Sequence, residues 1–167
     1  MPVLAQSGCY SLCLDSNADT AKSGLTFQLG LNATGDWWLG AISGTVGFAL
    51  DSSGNLALYA EGATGTVTSP DASLNIVGHI SNAGTTGDLG GPFVDISAGG
   101  GAGDHVTSDL FYGTGTHGQP ILGTGYSVGI GGGGASSITY GPTVVSPSIN
   151  LWNSFMSWLC GWAICGF

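Results

Sequence analysis

The middle of this chain alternates large apolar residues with residues that have almost no side chain. In LTFQLGLN (residues 25–32) leucine or phenylalanine stands at every second position. In GYSVGIGGGGASSITYG (residues 125–141) the positions between the large residues are mostly Gly and Ser. A period of two predicts β-strands. Each strand should therefore have one bulky face and one nearly bare face.

About eight such segments lie between residues 25 and 145. Segments of about ten residues joined by turns predict an antiparallel up-and-down barrel or sandwich of about eight strands. One hairpin can be placed in detail, because SSGN (residues 52–55) is a Gly-containing turn. Across that turn the apolar residues on the two strands are expected to face each other: Val46, Phe48 and Leu50 on one side, and Leu56, Leu58 and Ala60 on the other.

The bare face constrains the architecture, since glycine weakens a solvent-facing strand and packs against nothing there. Small residues are useful where a narrow barrel closes tightly or where another backbone approaches. Large residues can then fill the inside of a soluble barrel, or they can face lipid around a small-residue lumen. We favour the first layout, as a soluble barrel or one packed in an assembly. The small residues in question are Gly47, Ala49, Ala57, Gly129, Gly131 and Gly133.

Composition divides the chain into three parts: a Cys-containing N-terminal segment (1–24), the Gly-rich β domain (25–145) and an apolar, Trp-rich tail (146–167). The first segment lacks the basic region and apolar run of a Sec signal peptide. We therefore expect a secreted, extracellular protein that is exported by another route or within a larger protein.

The tail contains no charged residue and predicts a helix over 149–167. Nineteen residues would span about 28 Å at ~1.5 Å per residue, close to a ~30 Å hydrocarbon core. The helix could plug the barrel or pack on the sheet, insert into a membrane, or form an oligomer contact. The expected membrane or partner contacts are Trp152, Phe155, Met156, Trp158, Leu159, Trp162 and Phe167.

Charge excludes whole classes of function. The formal net charge is −9, Lys22 is the one lysine, and there is no arginine. Binding to nucleic acid requires cations that neutralise phosphates, so nucleic acid is excluded as a partner. No motif calls for a cofactor.

The four cysteines form two close pairs near the ends of the chain. In an oxidising compartment they are disulfide candidates, either joining the two termini or closing local loops. Reduced structural thiols and a metal site are the alternatives, and the spacing is permissible for zinc without being specific. The residues are Cys9, Cys13, Cys160 and Cys165.

No catalytic motif stands out, so we expect no enzyme. His105 and Ser108 are three apart on a strand and should point to opposite faces, which separates a nucleophile from its base. We interpret the histidines His79, His105 and His117 as solvated turn and strand residues. Asp95 and Asp109 are candidates for a carboxylate pair because both lie on strands, and this possibility ranks last.

The segments ISNAGTTGDLGGPF (80–93), ISAGGGAG (96–103) and GQPILGTGYSVGIGGGGA (118–135) resemble a Gly-rich β module at the C-terminal ends of bacterial Rhs-repeat and related polymorphic toxin proteins. The DLGGPF piece is the most specific part. The resemblance implies a delivered antibacterial effector domain with a possible immunity protein as partner. It implies no catalytic residues.

Two functions follow as expectations. The first is a non-enzymatic toxin that acts on lipid membranes through its apolar tail and β domain, alone or as an oligomer. The second is a structural subunit that assembles with copies of itself as a fibre or coat, because bare strand faces permit close approach of chains.

Overall fold

The computed structural model describes residues 24–38 and 40–165, with helix side chains described as far as Trp158. The predicted all-β antiparallel fold is confirmed, as seven strands form one sheet and every pairing is antiparallel. The elements are β1 (Thr26–Trp37), β2 (Gly40–Asp51), β3 (Asn55–Val67), β4 (Asp71–Ser81), a 3₁₀ turn (Thr86–Leu89), β5 (Gly91–Thr114), β6 (Pro120–Val145), β7 (Ile149–Asn150) and a helix, α1 (Leu151–Cys165).

The sheet curls into a ring because β6 has two different neighbours on the side away from β5. Its first half pairs with β4, from Gly123 to Gly133. Its second half pairs with β3, from Ser137 to Val145. Hydrogen-bonded pairing therefore runs from β4 through β1, β2 and β3 to β6 and back to β4.

β5 and β6 form one long hairpin, although glycine runs at 99–101 and 131–134 interrupt the alternation in the sequence and divide it into four of the predicted segments. Their register runs without interruption from Gly91↔Thr143 to Thr114↔Pro120. The glycine runs at 99–101 and 131–134 bend the hairpin without ending it. A Cβ on Gly99 would lie 2.7 Å from the carbonyl oxygen of Val106, so the two halves of β5 lie side by side. With both strands divided in this way, about eight strand segments surround the interior.

The hairpin predicted around residues 52–55 is confirmed. Val46 pairs with Ala60, Phe48 with Leu58, and Leu50 with Leu56. Gly54 has a φ of 79°, a left-handed conformation that favours glycine. The sequence therefore predicts the register of this strand pair as well as its position.

The large apolar residues face outward, so the layout favoured from the sequence is wrong. Phe48 is 56% exposed and Val128 is 57% exposed, whereas Ala49 is fully buried on the other face. Most inward positions carry Thr, Ser, Asn, His, Asp, Ala or Gly, and a few carry larger apolar residues such as Val77 and Ile121. Over much of its length the inner face is too crowded for further bulky side chains.

The bare face does line a tight interior, as one of the sequence interpretations holds. Ala49 and Ala57 are buried there. A Cβ on Gly129 would lie 2.6 Å from the Cα of Asn75 on the neighbouring strand. Because that neighbour is backbone, a side chain at this position would push two strands apart.

We predict that Gly129→Ala destabilises the fold by about 1–3 kcal/mol, because the added methyl overpacks a backbone contact. Gly132→Ala is the matched control, since no atom of the described residues lies within 4 Å of a Cβ there. The control should be neutral or stabilising by up to about 1 kcal/mol. Urea unfolding followed by circular dichroism measures both, and equal stability of the two variants would contradict this account of the interior.

The helix begins two residues later than the sequence predicts, because Ile149 and Asn150 pair with β3 instead. The Asn150 side chain accepts a hydrogen bond from the Asn153 amide at 2.9 Å and so caps the helix. Its amide group also donates to Asn55 Oδ1 at 2.8 Å. At ~1.5 Å per residue, the 15 residues of α1 span about 22 Å instead of about 28 Å.

The interpretation of α1 as a plug is wrong for the side chains that the structure describes. Trp152, Phe155 and Trp158 are 65%, 49% and 59% exposed, and Met156 is half-buried. The three aromatic rings follow one another at centroid distances of 6.1 and 6.3 Å. The described helix therefore presents an aromatic surface outside the ring.

Several predicted contacts fall outside the description. These are the side chains of Leu159, Trp162, Phe167 and of all four cysteine candidates, Cys9, Cys13, Cys160 and Cys165. Within residues 24–38 and 40–165, no helix combines the length and apolar character needed to cross a bilayer.

Candidate functional site: a polar interior and an apolar belt

The outer surface carries exposed apolar side chains on every segment of the ring. Around the outside, most of the large side chains are aliphatic or aromatic. Among the described acidic residues, only Asp104, at the bend of β5, is exposed. We call this surface the apolar belt and represent it by one residue per segment: Leu29, Val46, Leu58, Ile76, Ile96, Val106, Val128 and Ile138.

The inside of the ring is a polar cavity of about 70 Å³, referred to below as the polar interior. A single water needs roughly 10–15 Å³, so the cavity has room for several. Its lining comes from β1 to β6 and extends from Asp36 and Ser43, near the β1–β2 connection, to Glu61, His79 and Asp95. Hydroxyl groups of Ser and Thr make up much of the remaining lining.

A contact between a histidine and an aspartate lies in the middle of this interior, next to a glycine on the strand between them. His79 Nε2 lies 2.9 Å from Asp109 Oδ2, and both side chains are more than nine-tenths buried. The two residues lie on β4 and β5 and are separated by β6, where Gly125 pairs with both. A Cβ on Gly125 would lie 2.7 Å from His79 Nε2, so the pair requires the bare position.

Two further carboxylates, Glu61 and Asp95, line the same cavity as this His–Asp pair. The ring of Phe111 packs edge-on against His79 at a centroid distance of 5.3 Å. Tyr59 is 3% exposed, and its hydroxyl has no hydrogen-bond partner among the described residues. The middle of the interior therefore concentrates carboxylates around one histidine.

A second His–Asp pair lies closer to the β1–β2 end. His105 Nε2 lies 2.9 Å from Asp71 Oδ2, and the side chains are 2% and 6% exposed. The other carboxylate oxygen, Asp71 Oδ1, has no hydrogen-bond partner in the described part of the chain. Because a buried charge needs a partner, this contact ties β4 and β5 together through the interior.

We predict that His105→Gln destabilises the fold by about 3–5 kcal/mol, because it leaves the Asp71 carboxylate buried without its histidine partner. Adding Asp71→Asn should restore part of this loss, since a neutral amide is cheaper to bury. Urea unfolding of the two single variants and the double variant measures the coupling. Strictly additive effects would show that the pair does not interact.

An apolar cluster closes the interior at the opposite end. The cluster has seven members, which also include Ala49 and Tyr59, and we call five of them the collar: Ala83, Leu89, Phe93, Phe111 and Ile121. Phe93 and Phe111 meet edge to face at 5.9 Å. A smaller cavity of about 20 Å³ lies between the collar and the carboxylates Glu61 and Asp95. Leu89, 2% exposed, comes from the connection between β4 and β5 and not from a strand.

That connection, the capping loop (Ala83–Gly90), is held by side chains around it. Thr116 Oγ1 donates to the carbonyl oxygens of Gly87 and Gly90 at 2.8 and 2.9 Å. Thr26 Oγ1 donates to the carbonyl oxygen of Ala83 at 2.8 Å. These bonds position Leu89 beneath the aromatic rings.

Asp88 is the main polar anchor of the capping loop. Its carboxylate accepts from the Thr85 amide and lies 2.9 Å from His117 Nδ1. Burial alone would raise the pKa of Asp88, but the hydrogen bonds from His117 and Thr85 outweigh burial and hold the pKa below its ordinary value. The ionised form is thus the one that the folded loop prefers.

We predict that Asp88→Asn lowers stability at neutral pH and removes a pH dependence. A carboxyl whose pKa is depressed on folding stabilises the protein above its unfolded pKa, about 3.9, and this contribution is lost as pH falls through the folded pKa. The difference between wild type and variant should therefore be complete at pH 7 and shrink below about pH 4. The midpoint of urea unfolding, measured as a function of pH for wild type and variant, tests this prediction. Asp104→Asn, at an exposed position, is the control. A difference between wild type and Asp88→Asn that does not depend on pH would contradict the prediction.

The structure brings together residues that the sequence interpretation left apart. His79 and His105 are buried and paired with aspartates, so their interpretation as solvated residues is wrong; His117 is half exposed and also paired. Asp95 and Asp109 both reach the interior. The predicted separation of His105 and Ser108 is confirmed, with His105 buried and Ser108 exposed. The sequence did contain a signal for this burial. Both buried histidines stand at strand positions that alternate with the large outward residues, and these positions belong to the inner face.

Comparison with known proteins adds no assignment. No protein-family model matches the chain, and neither a search of curated proteins nor one of solved structures gives a match. Within the described residues, no group of three or more His, Cys, Asp or Glu side chains is arranged to hold a metal ion.

Proposed function

We propose that the protein is a non-enzymatic, secreted bacterial effector that acts on membranes by inserting its ring of strands into a lipid bilayer. The observation that carries this proposal is the apolar belt, to which all eight strand segments contribute. Monomeric soluble proteins rarely expose continuous apolar surfaces of such extent. Lipid would cover the belt on all sides.

The energetics favour an apolar medium around the ring. Fully burying a Leu, Ile, Val or Phe side chain contributes about 1.5–3 kcal/mol, and the belt side chains are about half exposed in the isolated chain. Each would thus gain on the order of 1 kcal/mol on transfer into lipid. Backbone groups add no large penalty where the strands are hydrogen-bonded to each other around the ring.

Strand length and aromatic placement also fit a bilayer. The undivided strands β1 to β4 have 11 to 13 residues, and a tilted membrane strand needs about 9–11. Trp37 and Trp38 lie at the β1–β2 end. Trp152 lies at the other end, where the Leu151 amide donates to the Gly54 carbonyl. Tryptophan is enriched at both interfaces of a membrane.

Assembly with copies of itself, as a fibre or coat, is the alternative from the sequence. A contact between two copies usually covers a limited patch, about 800 Å² on each partner. A belt that runs through every segment of the ring favours lipid over such patches. A large species that already exists in buffer would favour the alternative.

The effector part of the proposal rests on the resemblance to polymorphic toxin ends. Its most specific residues, DLGGPF (88–93), run from the Asp88 anchor of the capping loop to Phe93 of the collar. The proposal includes delivery outside the producing cell and an immunity protein as a partner. Toxicity on expression, relieved by a co-expressed neighbouring gene, would support this part separately.

We predict that Val46→Arg reduces insertion into phosphatidylcholine vesicles. A charge in the lipid-facing band of a membrane strand costs about 2–4 kcal/mol near the midplane, which corresponds to roughly a 30- to 700-fold loss of partitioning. Ser53→Arg, in the exposed β2–β3 turn, is the matched control and should insert like wild type. Vesicle flotation measures the bound fraction, and size-exclusion chromatography before lipid addition measures self-association.

Two results would contradict the proposal. Wild type that stays at the bottom of the gradient as a clean monomer would show that the belt does not bind lipid. Equal flotation of Val46→Arg and Ser53→Arg would show that binding does not use the belt.

A further inference from the structure

We infer that the polar interior is a path for small monovalent cations, closed at one end by the collar. The inference rests on the proposed membrane insertion. It adds an activity, cation conduction, that insertion alone does not require. Four features of the interior support it.

The first feature is the sign of the charge. Asp36, Glu61, Asp71, Asp95 and Asp109 all line the cavity. The possible counter-charges in its lining are His79 and His105, and the whole sequence has one lysine and no arginine. Acidic linings attract cations and repel anions. The carboxylates of the lining therefore favour cations over anions.

The second feature is a buried carboxylate oxygen at the cavity wall. Among the described residues, Asp71 Oδ1 has no hydrogen-bond partner, although the Asp71 side chain is 6% exposed and its other oxygen contacts His105. Buried polar atoms are normally satisfied. This oxygen is an acceptor on a residue that lines the cavity, so water or a hydrated cation is the partner that fits it.

The third feature is continuity. The larger cavity reaches from Asp36 and Ser43 to Glu61, His79 and Asp95. The smaller cavity shares these last three residues and continues to Leu89 and Phe111. The two water-sized cavities therefore border the same three side chains, one from the β1–β2 end of the ring and the other from the collar.

The fourth feature is the collar itself. An apolar constriction stops ions by excluding water, even where its atoms leave a narrow gap. Leu89 is supplied by the capping loop, so a change there alters the constriction without changing a strand. The loop thus serves as a closure for the path.

The test is potassium flux into phosphatidylcholine vesicles that carry the full chain. Leu89→Ser should raise the flux by about tenfold over wild type, because it makes the constriction polar. Leu25→Ser, at the exposed edge of the belt, is the matched control and should not raise the flux. In the Leu89→Ser background, Glu61→Gln with Asp95→Asn should lower the preference for potassium over chloride, and Asp104→Asn should not.

Flotation of the same vesicles separates the two proposals. If Leu89→Ser floats but passes no more potassium than protein-free vesicles, the path is refuted and membrane insertion stands. Potassium and chloride fluxes that are equal, and that the carboxylate substitutions leave unchanged, would also refute the cation path. They would indicate an unselective leak. If nothing floats, insertion fails and the path fails with it. Should Leu89→Ser not fold, Asp88→Asn, which releases the anchor of the capping loop, is expected to raise potassium flux in its place.

Discussion

Lack of space inside the ring is the constraint on which the rest of the structure depends. Large inward groups are accommodated where a facing strand carries glycine: His79 and Asp109 meet above Gly125. A Cβ on Gly113 would lie 2.6 Å from the ring of Phe93, and one on Gly123 would strike the ring of Phe111. The interior therefore holds a single shared layer of side chains. Most of the leucine and isoleucine residues on the strands therefore face outward.

This arrangement reverses the usual distribution of polarity. Two His–Asp pairs and several further carboxylates, which would normally face water, are enclosed in the ring. Among the described residues, some of their oxygens have no hydrogen-bond partner. Groups that would normally form a core lie on the outside. An apolar medium around the ring and water or cations within it would satisfy both surfaces at once, and the two proposals share this physical basis.

The capping loop links these surfaces to one end of the molecule. Its polar anchors, Asp88 and Thr116, lie at the rim, while its apolar residue Leu89 points into the collar. At the same end, Asn150 ties the start of α1 to the β2–β3 turn. The structure thus places its closure and its aromatic helix together, opposite the Trp37–Trp38 end.

The sequence by itself determined the strands, their period and the register of the hairpin at residues 52–55, because alternation and turn residues are local properties. It also indicated a tight, bare face. It could not decide which face was inside, since a period of two reads the same from either side. From the sequence, β5 and β6 are each divided into two segments, because a glycine run that bends a hairpin cannot be distinguished from a connection between two strands. Only the tertiary structure, by closing the ring, brought Asp71 to His105, 34 residues away, and directed most of the bulky residues outward, because the interior is crowded.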